Sequence, residues 1–255
     1  MKTIVFNATK GGTGKTTLSI ITTNALVACG YKCLAVDLDM VNHSLSFYYN
    51  AGIPYDEIHQ KNVFKVFAGE KVADNTLTIN DNLDLLHADV RLADFRSIET
   101  SKRLKKQLDG LAYDYVIIDT APTFDNIIVN ALMASDCVII PVVPDVFNYQ
   151  AVKYLFGKLT ELELTCDVNI VINQYEKPRS DNQGTFRNQI TELFNDDKEL
   201  SQFIGARLSR SQAIKKYIND RNYRINERKE TAKAYNEITA FLCETLSISI
   251  NGKGI

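Results

Sequence analysis

The chain has 255 residues, 45% hydrophobic and 24% charged, a composition typical of a globular protein with a sizeable core. Its formal net charge of -2 excludes a global field that would attract nucleic acid or anionic lipid, so any such binding must come from a local patch. No run of about 20 apolar residues is present, and the first apolar run leads directly into a glycine loop, which leaves no room for a signal peptide. We therefore expect a cytoplasmic protein without stable membrane insertion.

Short apolar runs alternate with longer helical patterns along the chain. Val, Ile and Leu fill the short runs without strict alternation, which is typical of strands buried on both faces of a parallel sheet. The predicted strands are residues 3–6, 33–36, 83–86, 115–118, 137–140 and 169–172. The predicted helices are residues 15–28, 97–108, 123–133, 149–161, 183–194, 211–220 and 228–246.

This alternation predicts an α/β fold in which a doubly wound, mostly parallel sheet is flanked by helices. No low-complexity linker, internal repeat or break in composition divides the chain. We therefore expect residues 1–255 to form a single domain. Its last part, about residues 206–246, is expected to be a basic helical extension.

A glycine-rich loop lies between the first predicted strand and the first predicted helix. Strand, glycine loop and helix together are typical of a phosphate-binding loop, because the glycines let backbone N–H groups surround an anion and the helix adds its positive N-terminal end. Lys15 is expected to reach the outer phosphates, and the hydroxyl of Thr16 to hold Mg²⁺. The candidate nucleotide-binding residues of the loop are Gly11, Gly12, Thr13, Gly14, Lys15, Thr16 and Thr17.

Two of the predicted strands are followed by carboxylates. Asp37 and Asp39 come directly after residues 33–36, and Asp119 comes directly after residues 115–118. The carboxyl ends of parallel strands face the crevice in which ligands bind. An apolar strand that ends in Asp behind a phosphate loop is the Walker B pattern, so Asp119 is a predicted Mg²⁺ ligand, with Asp37 in a supporting position.

The general phosphate-loop pattern has glycine where this chain has Thr9, and Lys10 stands at the start of the loop instead. In this respect the chain resembles the ParA/MinD group of ATPases, the deviant Walker A family, whose loop reads K-G-G-x-G-K-[ST]-[ST]. All eight positions match, and the resemblance, which covers residues 1 to about 246, is strongest to ParA/Soj-type partition ATPases. It implies that Lys10 crosses a dimer interface to touch the partner's nucleotide. It also implies that Asp39, the second Asp of the family's D-x-D, positions the attacking water.

The same resemblance implies ATP or ADP with Mg²⁺ as the ligands, and an ATP-dependent sandwich homodimer that hydrolysis dissolves. Asn173 resembles the family's strand-terminal Asn that faces adenine, since its amide offers both a donor and an acceptor. The chain departs from the family after Asp39, where ParA-type proteins commonly continue with Pro-Gln-Gly-Asn and this chain has Met-Val-Asn-His. The details of this switch loop are therefore expected to differ.

Basic residues are concentrated near the C-terminus. Residues 205–233 contain nine basic and three acidic residues, a local balance of +6 in a chain whose total is -2. Such a patch gives salt-sensitive binding to DNA of any sequence. The candidate DNA-binding residues are Arg207, Arg210, Lys215, Lys216 and Arg224. Together with the resemblance, this predicts a slow partition ATPase that moves a plasmid, chromosome region or other cargo and is stimulated by a ParB-like or other adaptor.

Three alternatives stay open at the level of sequence. A membrane-cycling ATPase of the MinD kind would need a basic amphipathic helix at the terminus, but residues 247–255 are short and contain one charge. A relative of the nitrogenase iron protein would need a cysteine in the segment after Asp119, and none follows it there. A nucleotide-gated interaction module with little turnover is the third. The loop alone does not distinguish ATP from GTP.

Overall fold

The computed structural model describes residues 1–98, 101–175, 194–220, 223–225 and 231–248. Its eight strands form one sheet in the order β3-β4-β2-β5-β1-β6-β7-β8. All neighbouring strands are parallel except β3 and β4, which are antiparallel. The strands are β1 (Lys2–Phe6), β2 (Cys33–Leu38), β3 (Leu77–Asn80), β4 (Leu83–Leu86), β5 (Tyr115–Thr120), β6 (Cys137–Val142), β7 (Asp167–Tyr175) and β8 (Ile204–Ser209).

Helices cover both faces of the sheet. They are α1 (Lys15–Ala28), α2 (Ser44–Tyr49), α3 (Tyr55–Gln60), α4 (Val63–Phe67), α5 (Arg103–Leu108), α6 (Asn126–Met133), α7 (Val146–Glu161), α8 (Gln212–Asn219) and α9 (Ala232–Ala240). A π-helical turn, Phe241–Thr245, continues α9. Three 3₁₀ segments, Val72–Asp74, Val90–Phe95 and Ser201–Phe203, lie in the connections.

The core consists of two apolar clusters, one on each face of the sheet. Within β1, Val5 belongs to the cluster under α4, α5, α6 and α7, whereas Ile4 and Phe6 belong to the cluster under α1, α8 and α9. Successive residues of a strand point to opposite faces, so a central strand with both faces covered must be apolar at every position. This is the physical reason for the non-alternating Val, Ile and Leu runs, and the predicted fold class is confirmed.

The six predicted strands are all present, and five of them extend beyond the predicted bounds. The first helix, Lys15–Ala28, has the predicted ends, and α6 and α7 each begin directly after an N-cap aspartate, Asp125 and Asp145. The predicted helix 97–108 begins only at Arg103. Most of the predicted helix 183–194 lies outside the described residues. The prediction of a single domain over residues 1–255 stays a prediction.

The expectation of a helical segment from residue 206 is wrong at its start, because Ile204–Ser209 forms β8 beside β7. As the last strand of the sheet, β8 pairs on one side only and keeps several half-exposed positions, so its sequence lacks the apolar run of a central strand. The edge strand β3 and the short helices α2, α3 and α4 were not predicted either. Within the described part of the chain, no helix combines the length and the apolar character needed to cross a bilayer.

A single amide joins three helices on the α1 side of the sheet. Asn24 of α1 donates from Nδ2 to the hydroxyls of Tyr48 (3.2 Å) and Tyr217 (3.0 Å). Its Oδ1 accepts a hydrogen bond of 2.8 Å from the hydroxyl of Tyr49. Since Tyr48 and Tyr49 belong to α2 and Tyr217 belongs to α8, the amide connects the helix that follows the glycine loop with both.

Candidate nucleotide site

A cavity of about 580 Å³ lies at the carboxyl end of the sheet. This volume is within the range of about 300–1,000 Å³ that is typical of small-molecule sites. Its walls come from the glycine loop, the segments after β2 and β5, the end of β7, and the segment from β8 into α8. The lining residues include Gly11, Gly12, Gly14, Lys15, Thr16, Thr17, Asp39, Asn42, Pro122, Asn173, Gln174, Arg210, Gln212 and Lys215. The cavity therefore unites the predicted phosphate loop with four of the other candidate residues, Asp39, Asn173, Arg210 and Lys215.

The glycine loop has a geometry that only glycine adopts easily at two positions. Gly12 has φ 74° and Gly14 has φ 106°, and Gly14 is the N-cap of α1. A Cβ on Gly14 would also collide with the side-chain amide of Asn173. The helix thus begins at the cavity with its N-terminal amides available to an anion, as the sequence predicts.

Lys15 is the first residue of α1 and is 7% exposed. Its Nζ donates to the carbonyl oxygen of Lys10 at 3.1 Å, which holds the side chain along the loop. Burial lowers the pKa of Lys15, against the opposing effect of the Asp119 and Asp39 carboxylates. An anion bound in the loop would supply the negative partner that such a buried ammonium favours.

Asp119, at the end of β5, faces the first turn of α1. Its Oδ2 accepts a hydrogen bond of 2.6 Å from Thr16 Oγ1, and its Oδ1 accepts one of 3.4 Å from Ser19 Oγ. The two predicted Mg²⁺ ligands, Thr16 and Asp119, are therefore in direct contact. Carboxylate and hydroxyl oxygens are the hard donors that Mg²⁺ prefers.

Asp37 lies next to Asp119 because the two residues are paired in the register of β2 and β5. Both carboxylates are fully buried, and burial raises the pKa of each; repulsion from Asp37 adds to the effect at Asp119, and repulsion from Asp39 adds to it at Asp37. A divalent cation at Asp119 would relieve this cost, so the donor set fits Mg²⁺. Asp37 itself uses both oxygens on backbone amides, those of Asp39 (2.9 Å) and Ser46 (2.8 Å). Its role as a metal ligand stays a prediction.

Asp39 closes a tight turn at the start of the segment that follows β2. Its Oδ1 accepts from the backbone amides of Val41 (3.1 Å) and Asn42 (3.0 Å), and its Oδ2 accepts from the side-chain amide of Asn42 (2.9 Å). Asp39 and Asn42 both line the cavity. The carboxylate predicted to position water therefore stands at the cavity wall, oriented by its own loop.

Lys10 makes its contacts with the start of α7. Its Nζ lies 3.6 Å from Asp145 Oδ1 and 4.7 Å from the centre of the Phe147 ring. As the N-cap of α7, Asp145 also accepts a hydrogen bond of 2.7 Å from the backbone amide of Asn148. The predicted role of Lys10 across a dimer interface concerns a second chain, and here the side chain is held within its own.

Asn173 and Gln174 lie at the end of β7, over the glycine loop. Asn173 Nδ2 donates to the carbonyl of Thr13 (2.8 Å), and Gln174 Nε2 donates to the carbonyl of Gly12 (3.0 Å). Asn173 thus lines the cavity, with its amide bonded to the loop. Its contact with adenine stays a prediction.

The five candidate DNA-binding residues lie in different surroundings, and their binding to DNA stays a prediction. Arg207 is in β8 and donates to Asn195 Oδ1 at 2.6 Å. Arg210 and Lys215 line the cavity described above, Lys215 and Lys216 border a groove with Tyr223, and Arg224 lines a separate cavity with Tyr217. Two residues assigned to DNA from the sequence are therefore also placed to meet a bound nucleotide.

Several site residues were missed from the sequence. Ser19, Asn42, Asp145 and Gln174 are polar residues without a motif of their own, although Ser19 follows Thr16 by one helical turn on the same face. The wall formed by residues 209–219 was missed because β8 was not predicted, so its place beside β7 could not be foreseen.

Comparison with known sequences supports the interpretation of the loop. Residues 1–172 match a family model described as an AAA domain, which covers more than half of the chain. The sporulation initiation inhibitor protein Soj of Bacillus subtilis is 31% identical over 180 residues, 66% of this chain and 70% of Soj. An uncharacterized protein of Methanocaldococcus jannaschii is 30% identical over 166 residues, 60% of this chain and 63% of that protein, so the match spans less than two thirds of that relative.

Solved structures share the fold over nearly the whole chain. A plasmid partition protein of Borrelia burgdorferi bound to AMPPNP has a TM-score of 0.76 at 24% identity, covering 94% of this chain and 98% of that one. Cyanothece McdA in complex with ATP has a TM-score of 0.77 at 20% identity, covering 98% of this chain and 97% of that one. Cobyrinic acid a,c-diamide synthase of Mycobacterium smegmatis, with an ATP analogue and magnesium, has a TM-score of 0.72 at 20% identity, covering 98% of each chain. At these identities the likeness establishes the fold, which a metabolic enzyme also uses.

Proposed function

Because this chain belongs to the ParA/MinD group of P-loop ATPases, we propose that it is a partition ATPase whose ATP-bound homodimer binds DNA of any sequence. Hydrolysis would dissolve the dimer and release the DNA, so that the nucleotide state sets the position of a cargo. The observation that supports this most is the convergence of Lys15, Thr16, Asp39 and Asp119 on one cavity of nucleotide size. Lys15, Thr16 and Asp39 line the cavity. Asp119 accepts a hydrogen bond from the hydroxyl of Thr16.

The proposed ligands are ATP or ADP with Mg²⁺. The nucleotide-bound relatives of the same fold support this choice, and so do the paired carboxylates at Asp37 and Asp119. Thr16 and Asp119 would hold the ion, which would neutralise charge on the phosphates. Lys15 and the loop amides would hold the phosphate chain. Asp39 would orient a water molecule toward the terminal phosphate, so that positioning and charge stabilisation supply most of the rate.

The dimer would place Lys10 on the partner's nucleotide. The contact of Lys10 with Asp145 is an exposed ion pair, with both side chains 39% exposed, and such pairs contribute at most about 1 kcal/mol. A phosphate offers a more highly charged partner, so exchange of one contact for the other is energetically accessible. Lys10→Ala is expected to prevent the ATP-dependent dimer, which size-exclusion chromatography with and without ATP would detect.

The DNA-binding surface would centre on α8, because Lys215 and Lys216 are both exposed there. Their position beside the nucleotide cavity supports a link between nucleotide occupancy and DNA binding. Lys216 lies outside the lining of that cavity, whereas Lys215 belongs to it. Lys216 therefore tests the DNA surface without direct contact with nucleotide.

An ATP-dependent shift of random duplex DNA at about 0.1 M salt tests the proposal, because exposed charges are already substantially screened there. Lys216→Ala should weaken DNA binding by the same factor for every sequence while ATP binding is unchanged. Lys198→Ala, which removes an exposed charge from another part of the surface, is the matched control. Absence of any shift for the wild type with ATP would remove the DNA-binding part of the proposal.

Lys15→Ala tests the nucleotide part of the proposal separately. Loss of the ammonium should abolish measurable ATP binding or turnover, and unchanged ATPase activity would contradict the assignment of the loop. We further propose that basal hydrolysis is slow and that a ParB-like or other adaptor stimulates it. In cells this predicts a cytoplasmic protein that associates with the nucleoid, whereas a membrane-cycling ATPase would instead bind anionic vesicles when ATP is added.

A further inference from the structure

Two consecutive amide side chains at the end of β7 donate to two consecutive carbonyls of the phosphate loop. Asn173 bonds the carbonyl of Thr13, and Gln174 bonds the carbonyl of Gly12, at 2.8 and 3.0 Å. The residues are 160 and more positions apart in sequence, so these bonds tie the loop to a different part of the sheet. The contact is made by side chains of β7 and not by its backbone.

Fixing a carbonyl also fixes the N–H group of the same peptide plane. In a trans peptide the C=O and the following N–H point in opposite directions. The bonds from Asn173 and Gln174 therefore orient the N–H groups of Thr13 and Gly14 away from β7. Within the described residues neither N–H donates to a protein acceptor. Both are thus available to an anion held by the loop.

The backbone of Gln174 is in a conformation that needs support. Its φ of 53° lies in the left-handed region, which residues other than glycine seldom adopt. The backbone amide of Gln174 donates to Asn173 Oδ1 at 2.9 Å, so the same Asn173 side chain bonds both the loop and Gln174. Unusual backbone conformations that the surroundings hold in this way concentrate at functional sites.

We propose that Asn173 and Gln174 are positioning residues for the phosphate loop, and that Gln174 in particular sets the affinity for the phosphate chain and not for the base. The inference rests on the proposed nucleotide binding, and it gives Gln174 a role that the family resemblance does not supply. It also gives Asn173 a function separate from contact with adenine. Because the amides act through the carbonyls of Thr13 and Gly12, neither needs to touch the phosphates.

Gln174→Leu tests this by removing the amide while keeping an apolar side chain that extends to Cδ. Binding would be measured by calorimetry with Mg²⁺ for ATP, for inosine triphosphate, and for inorganic tripolyphosphate, which has no base. We expect all three ligands to bind about three- to tenfold more weakly, the effect of losing one hydrogen bond. The ratio of ATP to inosine triphosphate affinity should stay at its wild-type value.

Two further variants separate the amide from backbone strain and from general surface effects. Gln174→Gly suits the left-handed backbone and also lacks the amide, so it should weaken binding to the same degree as Gln174→Leu. Gln202→Leu removes an exposed amide that donates to the Glu199 carbonyl and lies outside the cavity lining, so it should leave all affinities unchanged. Thermal melting of each variant would confirm that it is folded at the temperature of the binding measurement.

The outcomes are distinct. If Gln174→Leu weakens ATP but neither inosine triphosphate nor tripolyphosphate, Gln174 acts on the base and the proposal is wrong. Unchanged affinities for all three ligands would also overturn it, because the loop would then hold its shape without the amide. Should tripolyphosphate bind too weakly to measure, the ratio of the two nucleotides still decides. Failure of the wild type to bind ATP would instead refute the proposed function itself.

Discussion

The ammonium of Lys10 stands between the Asp145 carboxylate, at 3.6 Å, and the Phe147 ring, at 4.7 Å from its centre. Both partners lie at the beginning of α7 in the same chain. The family resemblance predicts that Lys10 contacts the nucleotide of a neighbouring subunit. In this structure Lys10 instead contacts residues of its own chain. Any interaction of Lys10 with a second nucleotide must replace this one.

Asp145→Asn is expected to favour the ATP-bound dimer. The amide can still serve as the N-cap of α7, but it lacks the charge that attracts Lys10. Since an exposed ion pair is worth at most about 1 kcal/mol and the symmetric dimer breaks one in each subunit, the dimer should form at up to about thirtyfold lower protein concentration. Sedimentation equilibrium with ATP would measure this. Asp125→Asn, the corresponding cap change at α6, is the control, and an unaltered dimer in Asp145→Asn would contradict the idea.

Gly14→Ala is expected to damage the site far more than Gly30→Ala, although both glycines have positive φ, 106° and 87°. A Cβ in a left-handed conformation costs about 1–2 kcal/mol in either place. Only at position 14 would it also collide with the Asn173 amide, whereas nothing lies near Gly30. Urea unfolding should show loss of stability in both variants, and only Gly14→Ala should lose ATP binding, by roughly tenfold or more.

Removing the obstacle provides a second test of the same contact. The double variant Gly14→Ala with Asn173→Ala should recover part of the lost unfolding free energy, because the amide that the new methyl group meets is gone. Additive losses in the double variant would show that the two residues do not interact in this way.

Asp119→Asn is expected to make the Mg²⁺-free protein more stable at pH 8 while abolishing Mg²⁺-dependent nucleotide binding. Burial and the neighbouring Asp37 raise the pKa of Asp119 in the native state, so above about pH 4 the native protein retains a proton that the unfolded chain has released. The free energy of unfolding contributed by this group therefore falls as the pH rises from about 4 through the raised native pKa.

The amide does not titrate, so the difference between Asp119→Asn and wild type should be largest at high pH and shrink toward pH 4. Chemical unfolding across this range in the presence of a chelator would measure it. Equal dependence on pH in the two proteins would show that Asp119 is not the group responsible.

Asp39→Ala is expected to lower kcat for ATP hydrolysis by at least about a hundredfold, the lower range for a group that positions or activates the reacting water. ATP affinity should change little, because Asp39 is bonded to its own loop and not to the phosphate-binding groups. Single-turnover hydrolysis with separately measured binding would distinguish the two effects. Equal rates in both proteins would remove Asp39 from catalysis, and rates near the uncatalysed background in both would favour a nucleotide-gated module with little turnover.

The phosphate loop and the acidic strand ends could be predicted because each is local. Thr16 and Asp119 are 103 positions apart, yet both are marked by short motifs whose geometry places them at the same edge of a parallel sheet. Asp145 and Gln174 have no such marker, since their roles arise only from contacts with distant residues. The assignment of Arg210 and Lys215 to DNA shows the same limit: charge is visible in the sequence, but the cavity that both line depends on the unpredicted strand β8.

The hydrogen bonds of Asn24 to Tyr48, Tyr49 and Tyr217 have a mechanical consequence. The helix after the phosphate loop, the helix after Asp39 and the helix with Lys215 and Lys216 are fastened at one point. A shift of α2 relative to α1 must either break a partly buried hydrogen bond between Asn24 and a tyrosine hydroxyl or displace α8 as well. The Asn24 amide is thus a single point at which α1, α2 and α8 constrain one another's positions.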